Sequence, residues 1–494
     1  MKNWLLLIVL FIAAGLLAAC DDAVVDGGMV DEETAVQSPL ITAVSGAYQP
    51  ADCPFNAPGR YNVACGYLTV PENRANVDSQ DIQLAVAIVP APNGAEYPPL
   101  IYLAGGPGSS ALDEFDADPE GWEYPFTQNR DLILLDQRGT GYSEPTLDCP
   151  EFADAGEGDN PDELCYERLV DEGIDLAAYN TAENAADVEA LRLALGIEQW
   201  DVLGISYGTR LALQVMKEYP DGLRSVVLDS TFPPNVDTPV QDALSTMESL
   251  NRLFAECAAD ATCASEYPDL EGVFLETVAS LNEDESAGIY GDDLLFAVSN
   301  AFNDTEAIPL LPRTIYEVAN GNYGALDEIG FESGYGRFQS GGNRNSGDYS
   351  DSEGMYNSVM CADEYANGDY ERAEEAVVGQ IPAELEAGLL QGVYDITSVC
   401  AYWNPQQRTD NTAVTSAIPT LILSGQYDVA TPTSWAYLAA KTLPNAIIYE
   451  FPGSGHSVLS GGECAIDITT QFLDDPATAP DDACIAEMNW PAFE

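Results

Sequence analysis

Three side chains, far apart along the chain, have the types needed for nucleophilic acyl transfer. Ser206 stands in the stretch GISYGTR, Asp428 in LILSGQYDVATP, and His456, the single histidine among the 494 residues, in PGSGHS. A hydroxyl becomes a strong nucleophile when an imidazole takes its proton and a carboxylate orients and stabilises that imidazole. We therefore expect Ser206, His456 and Asp428 to form a catalytic triad.

Each of these residues also has a simpler interpretation. The pattern G-x-S-x-G arises by chance in many chains and can be a plain turn. A lone histidine is more often an ordinary residue than a catalyst, and one aspartate carries little weight among 82 acidic residues. Context favours catalysis, because each of the three lies at or just past the end of an apolar run. Their order, serine then aspartate then histidine, is that of the α/β-hydrolase fold and not of the chymotrypsin or subtilisin folds.

A tetrahedral intermediate also needs backbone N–H groups directed at its oxyanion. Tyr207 follows the nucleophile and can supply one N–H from the start of a helix. Gly106, within the GGPG stretch at 105–108, can supply the other, since glycine lets the main chain approach a substrate closely. The alternative for GGPG is a simple turn, which its place after an apolar strand makes the weaker interpretation.

The elements that must position these residues are apolar runs that end in glycine-rich or polar loops. They read PPLIYLAGGPG, DLILLDQRGTG, WDVLGISYG, RSVVLDS, IPTLILSGQYD and AIIYEFPGSGH. Helix-like stretches such as 182–195 separate them, and strands of this kind are buried on both faces. The sequence predicts an α/β protein with a mostly parallel, doubly wound sheet of the α/β-hydrolase type, and functional loops at the carboxyl ends of the strands.

The strand pattern stops after Phe232 and returns after about Tyr402, with helical patterns such as DALSTMESLNRLFAECAAD between them. We therefore predict a hydrolase domain in two parts, 50–232 and 403–494, interrupted by a mainly helical cap insertion over 233–402. The insertion contains one long Gly/Asn/Ser-rich loop.

The amino terminus predicts export. Residues 1–20 carry an early lysine, an apolar run and small residues up to Cys20, which is typical of a signal peptide. The ending LAAC resembles the lipobox of bacterial lipoproteins, and this implies lipid attachment at Cys20; the alternative is a free cysteine at an ordinary cleavage site. Residues 21–49 are acidic and predict a solvated tether. We expect a protein anchored by lipid to the extracellular or periplasmic face of a cell membrane.

The charge of the chain excludes one class of partner. Asp and Glu total 82 against 17 Lys and Arg, for a formal net charge of -65. Such a protein repels phosphate backbones, so nucleic acid is not an expected partner. Self-repulsion of this size is relieved when salt screens it, which predicts a saline or ion-rich habitat. The sequence does not determine the oligomeric state.

The cysteines predict disulfides rather than a metal site. Without Cys20 there remain ten, an even number in a chain with an export signal. Sequence alone leaves several connectivities open, but the spacing favours neighbour pairs: 53 with 65, 149 with 165, 257 with 263, 361 with 400, and 464 with 484. The chain has no C-x-x-C and one histidine, so we expect neither zinc nor any other cofactor.

Several motifs together resemble a known family. GGPGSS, LDQRGTGYSEP, ALGIEQWDVLGISYGTRLAL, LDST, IPTLILSGQYDVATP and GSGHS are similar to the secreted tripeptidyl aminopeptidases and prolyl aminopeptidases of the α/β-hydrolase fold. The resemblance spans about Cys53 to Cys484 and is dense in the sheet-forming parts. It implies a serine exopeptidase that acts at the free amino end of short peptides. Ala104 stands where many prolyl aminopeptidases have a histidine, so strict proline specificity is not implied.

An aminopeptidase must also bind the substrate ammonium, and carboxylates do this in a water-poor pocket. The resemblance implies that acids of the insertion serve, and SVMCADEY offers Asp363 and Glu364 beside Cys361. The alternative is that both are solvated acids on a very acidic surface. Two other functions stay open at this point. They are a carboxylesterase with the same triad, and a non-catalytic envelope lipoprotein that binds peptides.

Overall fold

A single mixed sheet runs through the part of the chain that is described. The computed structural model describes residues 47–56, 61–117, 121, 124–156, 158–283, 288–331, 351–365, 369–403, 410–488 and 493. The predicted signal peptide, Cys20 and nearly all of the predicted tether lie outside these residues. The first described strand begins at Tyr48, inside the range predicted as tether. Tyr48 is buried there, because it pairs with Leu68 and packs in the core.

The strands of this sheet are β1 (Tyr48–Ala51), β2 (Ala64–Pro71), β3 (Asp81–Val89), β4 (Leu100–Leu103), β5 (Leu132–Leu135), β6 (Trp200–Ile205), β7 (Leu223–Asp229), β8 (Thr420–Gly425) and β9 (Ala446–Phe451). Their spatial order is β1-β2-β3-β5-β4-β6-β7-β8-β9. The pairs from β1 to β5 are antiparallel, and those from β5 through β9 are parallel. The predicted fold class is confirmed.

Helices cover both faces of the sheet, which is why the central strands are continuous apolar runs. The helices of the sheet domain are α1 (Ala111–Ala117), α2 (Glu151–Asp154), α3 (Pro161–Asp171), α4 (Thr181–Ala194), α5 (Tyr207–Glu218), α14 (Thr433–Ala440), α15 (Glu463–Asp474) and α16 (Ala483–Glu487). One core joins β-strand side chains to α4, α5 and α14. A second core, on the other face, joins them to α1 and α15.

The described residues between β7 and β8 form helices and no strand. They are α6 (Thr238–Ala259), α7 (Ala261–Glu266), α8 (Leu270–Glu283), α9 (Gly291–Ala301), α10 (Leu311–Ala319), α11 (Glu353–Val359), α12 (Asp369–Val377) and α13 (Ala383–Trp403), with a π-helical turn at Met360–Glu364. These cap helices have their own apolar cores. Tyr207 packs in one of them and Tyr427 in another. The neighbours of Ser206 and Asp428 are therefore held by the cap as well as by the sheet.

Five disulfides join the neighbouring cysteine pairs, as predicted: Cys53–Cys65, Cys149–Cys165, Cys257–Cys263, Cys361–Cys400 and Cys464–Cys484. Each brings two local segments together, and the Cys361–Cys400 bond ties the π-helical turn to α13. Among the described helices, none has the length and apolarity required to span a bilayer.

Candidate active site

Ser206 occupies a sharp turn between β6 and α5. Its backbone has φ 55° and ψ -124°, a conformation that costs a non-glycine residue about 1–3 kcal/mol and persists only where the surroundings impose it. Here its N–H donates to the carbonyl of Asp229 at 3.0 Å, and its own carbonyl accepts from the N–H and Oγ1 of Thr209. The turn presents the Ser206 side chain, which is partly exposed, at the carboxyl end of the sheet.

Close packing explains Gly208, the second glycine of the G-x-S-x-G motif. A Cβ on Gly208 would lie 2.0 Å from the carbonyl oxygen of Leu103, the last residue of β4. A side chain there is incompatible with the present distance between α5 and β4. The absence of that side chain lets the start of α5 approach the loop that carries Gly106.

Asp428 and His456 form the second part of the site. Asp428 follows β8 and His456 follows β9, and Nδ1 of His456 lies 2.9 Å from Oδ2 of Asp428. Thr431 fixes the carboxylate, since its N–H donates to Oδ1 and its Oγ1 to Oδ2, each at 2.8 Å. A Cβ on Gly425 would lie 1.8 Å from the carbonyl oxygen of Gly455, so the glycine at 425 allows the end of β8 to approach the His456 loop.

Asp428 and His456 shift each other's pKa in the direction that favours the charged form of each. Burial by itself would lower the pKa of His456, but the charge and hydrogen bond of Asp428, with the charge of Asp229, raise that pKa above its ordinary value. Burial by itself would raise the pKa of Asp428, and the His456 ring together with the Thr431 donors lowers it. The carboxylate is therefore ionised at neutral pH, and it holds the proton of the imidazole on Nδ1.

The Ser206 turn and the His456 loop are connected through the end of β7. Asp229 accepts the Ser206 N–H with its main chain, and its carboxylate accepts the N–H groups of Val458 and Leu459. Within the described residues no hydrogen bond joins Oγ of Ser206 to the imidazole. In enzymes without bound substrate this contact is often long and shortens when substrate binds. Our sequence reasoning did not identify Asp229, and its only signal was its place at a strand end in LDST.

The predicted oxyanion donors belong to two segments next to Ser206, the start of α5 and the loop after β4. The N–H of Tyr207 belongs to the first turn of α5, where helical N–H groups have no partner within the helix. Gly106 lies in the loop after β4, and the preceding Gly105 is close enough that a Cβ on it would lie 3.1 Å from Cβ of Ser206. Gln137 holds this loop by donating from Nε2 to the carbonyl of Ala104 at 2.9 Å.

The carboxylate of Asp136 also holds the end of the loop that carries Gly106. This carboxylate is fully buried and accepts from the Ser110 hydroxyl and from the N–H groups of Leu112 and Tyr142. Burial raises the pKa of Asp136 to about 7. The cap insertion contacts the same loop at Ser352, whose N–H donates to the carbonyl of Gly108 at 3.0 Å.

The two acids predicted to bind a substrate amine are buried in the π-helical turn. Glu364 Oε1 lies 2.6 Å from Nη2 of Arg210, and Thr238 donates to its Oε2. Burial raises the pKa of Glu364 to about 7, although the charge of Arg210 opposes this. Asp363 accepts from the N–H of Thr181 at 2.9 Å. Its charge also raises the pKa of Tyr207, after the larger effect of burial, so Asp363 lies within electrostatic range of the residue next to Ser206.

A cavity of about 910 Å³ lies among the cap helices and α3. Its described lining carries five acids and no basic residue: Asp162, Asp242, Asp292, Glu353 and Asp395. The hydroxyl of Tyr365 donates to Asp242, and burial raises the pKa of Asp242 to about 6. The volume lies within the range of small-ligand sites, and the lining favours a cationic occupant.

One group of side chains in the described part of the chain carries metal-ligand atoms close together. Cys149, Glu151 and Cys165 bring such atoms within 4.8 Å of one another in the described part of the chain. Both sulfurs belong to a disulfide and so cannot act as thiolate ligands.

Comparison with known proteins shows which families and which proteins this chain is similar to. The family model described as "alpha/beta hydrolase fold" matches residues 98–300, and the one described as "TAP-like protein" matches residues 390–484. The chain is 26% identical over 465 residues to serine protease Hip1 of Mycobacterium tuberculosis, covering 85% of this chain and 86% of that protein. It is 32% identical over 196 residues to the tripeptidyl aminopeptidase of Streptomyces lividans, covering 35% and 36%. It is 32% identical over 132 residues to a probable proline iminopeptidase of Streptomyces coelicolor, covering 26% and 32%.

Proposed function

We propose that this chain, which belongs to the α/β-hydrolases and carries a TAP-like region, is a serine exopeptidase acting near the free amino end of short peptides. The observation that carries the proposal is the Asp428–His456 pair, with Nδ1 and Oδ2 at 2.9 Å, whose loop is linked through Asp229 to Ser206 at a strained strand-to-helix turn. The similarity to peptidases named above supports peptides over simple esters as substrates.

The mechanism assigns a role to each residue of the predicted triad and to the two oxyanion donors. With its proton fixed on Nδ1 by Asp428, His456 presents a basic Nε2 that takes the proton of Ser206 as Oγ attacks the carbonyl carbon. The oxyanion accepts hydrogen bonds from the N–H groups of Tyr207 and Gly106. The imidazolium then gives its proton to the leaving amine, which leaves an acyl-enzyme on Ser206. Water, activated by the same imidazole, hydrolyses the ester and restores the serine.

Recognition of the substrate ammonium is the finer part of the proposal. Glu364 is paired with Arg210, while the charge of the neighbouring Asp363 acts on Tyr207 next to Ser206. The acidic lining of the cap cavity adds negative potential of the same sign. A peptide whose amino terminus is free and protonated is therefore favoured over one whose amino terminus is blocked.

Product analysis tests the activity. A peptide mixture is incubated with the wild-type protein and with Ser206→Ala, and the masses are followed by mass spectrometry. We expect residues to be removed from the amino end by the wild type only. Losses from the carboxyl end, or internal cleavage, would reject the exopeptidase assignment and leave a serine hydrolase. Activity on simple esters alone would favour the carboxylesterase.

Amine recognition has its own test. We expect Asp363→Asn to raise KM for a free tripeptide anilide about tenfold, the scale of one lost charge interaction, and to leave an N-acetylated anilide unaffected. Glu371→Gln, an exposed acid on the cap helix α12, is the matched control that removes the same charge elsewhere. Equal effects of the two variants on both substrates would refute a role for Asp363 in amine binding.

We also propose that the protein is exported and anchored by lipid at Cys20. The apolar run before LAAC supports this. The five disulfides support an oxidising compartment. The test is metabolic labelling with a radioactive fatty acid in a bacterial host. We expect label and membrane fractionation in the wild type and loss of both in Cys20→Ala, and an unlabelled wild type would reject the anchor.

A further inference from the structure

Asp229 lies between the two halves of the candidate active site, and the triad leaves it without a role. It is the last residue of β7, pairs in register with Ile205 of β6, and has no exposed surface. Its carbonyl accepts the N–H of Ser206 at 3.0 Å. The main chain of Asp229 therefore helps to hold Ser206 in its strained conformation with positive φ.

The side chain of Asp229 reaches the other half. Oδ1 accepts the N–H of Val458 at 3.1 Å, and Oδ2 accepts the N–H of Leu459 at 3.0 Å. The adjacent Ser230 adds a third bond, since its Oγ accepts the N–H of Ser457 at 2.8 Å. Three successive backbone N–H groups that follow His456 are thus bound by the end of one strand.

A carboxylate suits this position better than any other side chain of its size. Both of its oxygens accept from N–H donors, and an asparagine would place an amide NH₂ against one of these donors. Burial opposes the charge and raises the pKa of Asp229 to about 6, while the two N–H donors lower it. The charge has a further effect at the site, because it acts with Asp428 to favour the protonated form of His456.

We infer that Asp229 is a positioning residue for the reaction: it fixes the His456 loop relative to Ser206 and stabilises the imidazolium at a distance. This rests on the triad of the proposed function. The charged groups that act on His456 are Asp428, which contacts the ring, and Asp229, whose charge acts on the ring without contacting it. Removing Asp229 therefore alters the base without touching the ring or its partner.

The experiment compares Asp229→Asn with Asp201→Asn. Asp201 is an equally buried strand carboxylate on β6, where it pairs with Arg224 and Ser225 away from the site. Each variant is purified, its folded fraction is measured by circular dichroism, and rates are expressed per folded molecule. The readouts are the rate of labelling by a fluorophosphonate, kcat and KM on a tripeptide anilide, and the pH profile of kcat/KM.

We expect Asp229→Asn to lower kcat and the labelling rate about 10- to 100-fold with KM within about twofold, the signature of misplaced catalytic groups. Loss of the negative charge lowers the pKa of His456, so the acid limb of the profile moves to lower pH. Asp201→Asn should lower stability and leave all three kinetic readouts unchanged. Should Asp229→Asn fail to fold, Ser230→Ala removes one of the three loop bonds and should slow labelling less than tenfold but measurably.

The contrary results are distinct from one another. If Asp229→Asn, or Ser230→Ala in its place, labels at the wild-type rate with an unmoved pH profile, the positioning role is overturned and Asp229 is structural only. If the wild type is not labelled at all, the triad itself fails, and this inference fails with it. Fluorophosphonates react with any activated serine, so a wrong peptide specificity would leave the comparison intact.

Discussion

Gly208→Ala tests the packing that brings the nucleophile to the oxyanion loop. The added Cβ would lie 2.0 Å from the Leu103 carbonyl oxygen and 2.8 Å from its carbon. Both atoms belong to the backbone of a central strand, so no flexible side chain can give way. The start of α5 must therefore move away from β4 by roughly 1 Å, and misplacement of that size can cost about 100-fold in rate.

The expected result follows from which groups separate. The N–H of Tyr207 moves with α5, while Gly106 stays with β4, so the two oxyanion donors are no longer at the distance a tetrahedral oxygen requires. We expect kcat to fall about 100-fold with a smaller change in KM. The strain of the added methyl group should also lower the free energy of unfolding by about 1–3 kcal/mol.

The assay measures fluorophosphonate labelling and urea unfolding on the same samples. Gly392→Ala is the matched control, because Gly392 lies inside α13 and a Cβ there would have no heavy atom within 4 Å. That change should raise stability by about 0.5–1 kcal/mol, as expected for alanine in a helix, and leave labelling unchanged. A Gly208→Ala protein that labels within twofold of the wild type would refute the reasoning.

Further predictions concern the charges and cross-links. Asp428→Asn should lower kcat about 10³- to 10⁴-fold on an anilide substrate, since the imidazole loses its fixed tautomer; a loss under tenfold would contradict this. The buried acids Asp136 and Glu364, with pKa raised to about 7, hold protons in the folded state that the unfolded chain releases. Their contribution to stability is therefore present below about pH 4 and is lost as pH rises through 7, so urea midpoints should fall from pH 5 to pH 8 at fixed ionic strength. Serines at Cys361 and Cys400 should lower stability by about 4 kcal/mol, because a bond across 39 residues no longer restricts the unfolded chain. With a net charge of -65, molar salt should raise the melting temperature, and an unchanged melting temperature would count against the self-repulsion argument.

The sheet was predictable because its central strands are buried on both faces. Runs such as LIYL and LILL are continuous in apolar residues, and each ends in a loop whose composition changes abruptly. β1 gave no such signal, since Tyr48 is its single buried residue and its neighbours are exposed. A strand that contributes one side chain to the core cannot be distinguished from a tether by periodicity.

The triad could be proposed from the chain because each predicted member has a rare type or a marked context, and the structure brings two of them, His456 and Asp428, into contact. Asp229 could not, because an aspartate at a strand end is common among 82 acidic residues and its partners are backbone N–H groups more than 220 positions later. The pairing of Glu364 with Arg210 was hidden for the same reason. Such contacts depend on the three-dimensional path of the chain and leave no local pattern in the sequence.

The scarcity of basic residues links the site to the charge of the whole protein. Among the basic residues in the described part of the chain, three arginines are almost completely buried: Arg130, Arg138 and Arg210. Each pairs with an acid inside the fold, Arg138 with Asp187 and Arg210 with Glu364 among them. These three cations compensate interior carboxylates and do not oppose the acids at the surface and in the cap cavity. We expect the negative potential of the protein to have two effects: it attracts a protonated amino terminus, and it destabilises the compact state through self-repulsion. Salt should therefore weaken substrate attraction and raise stability.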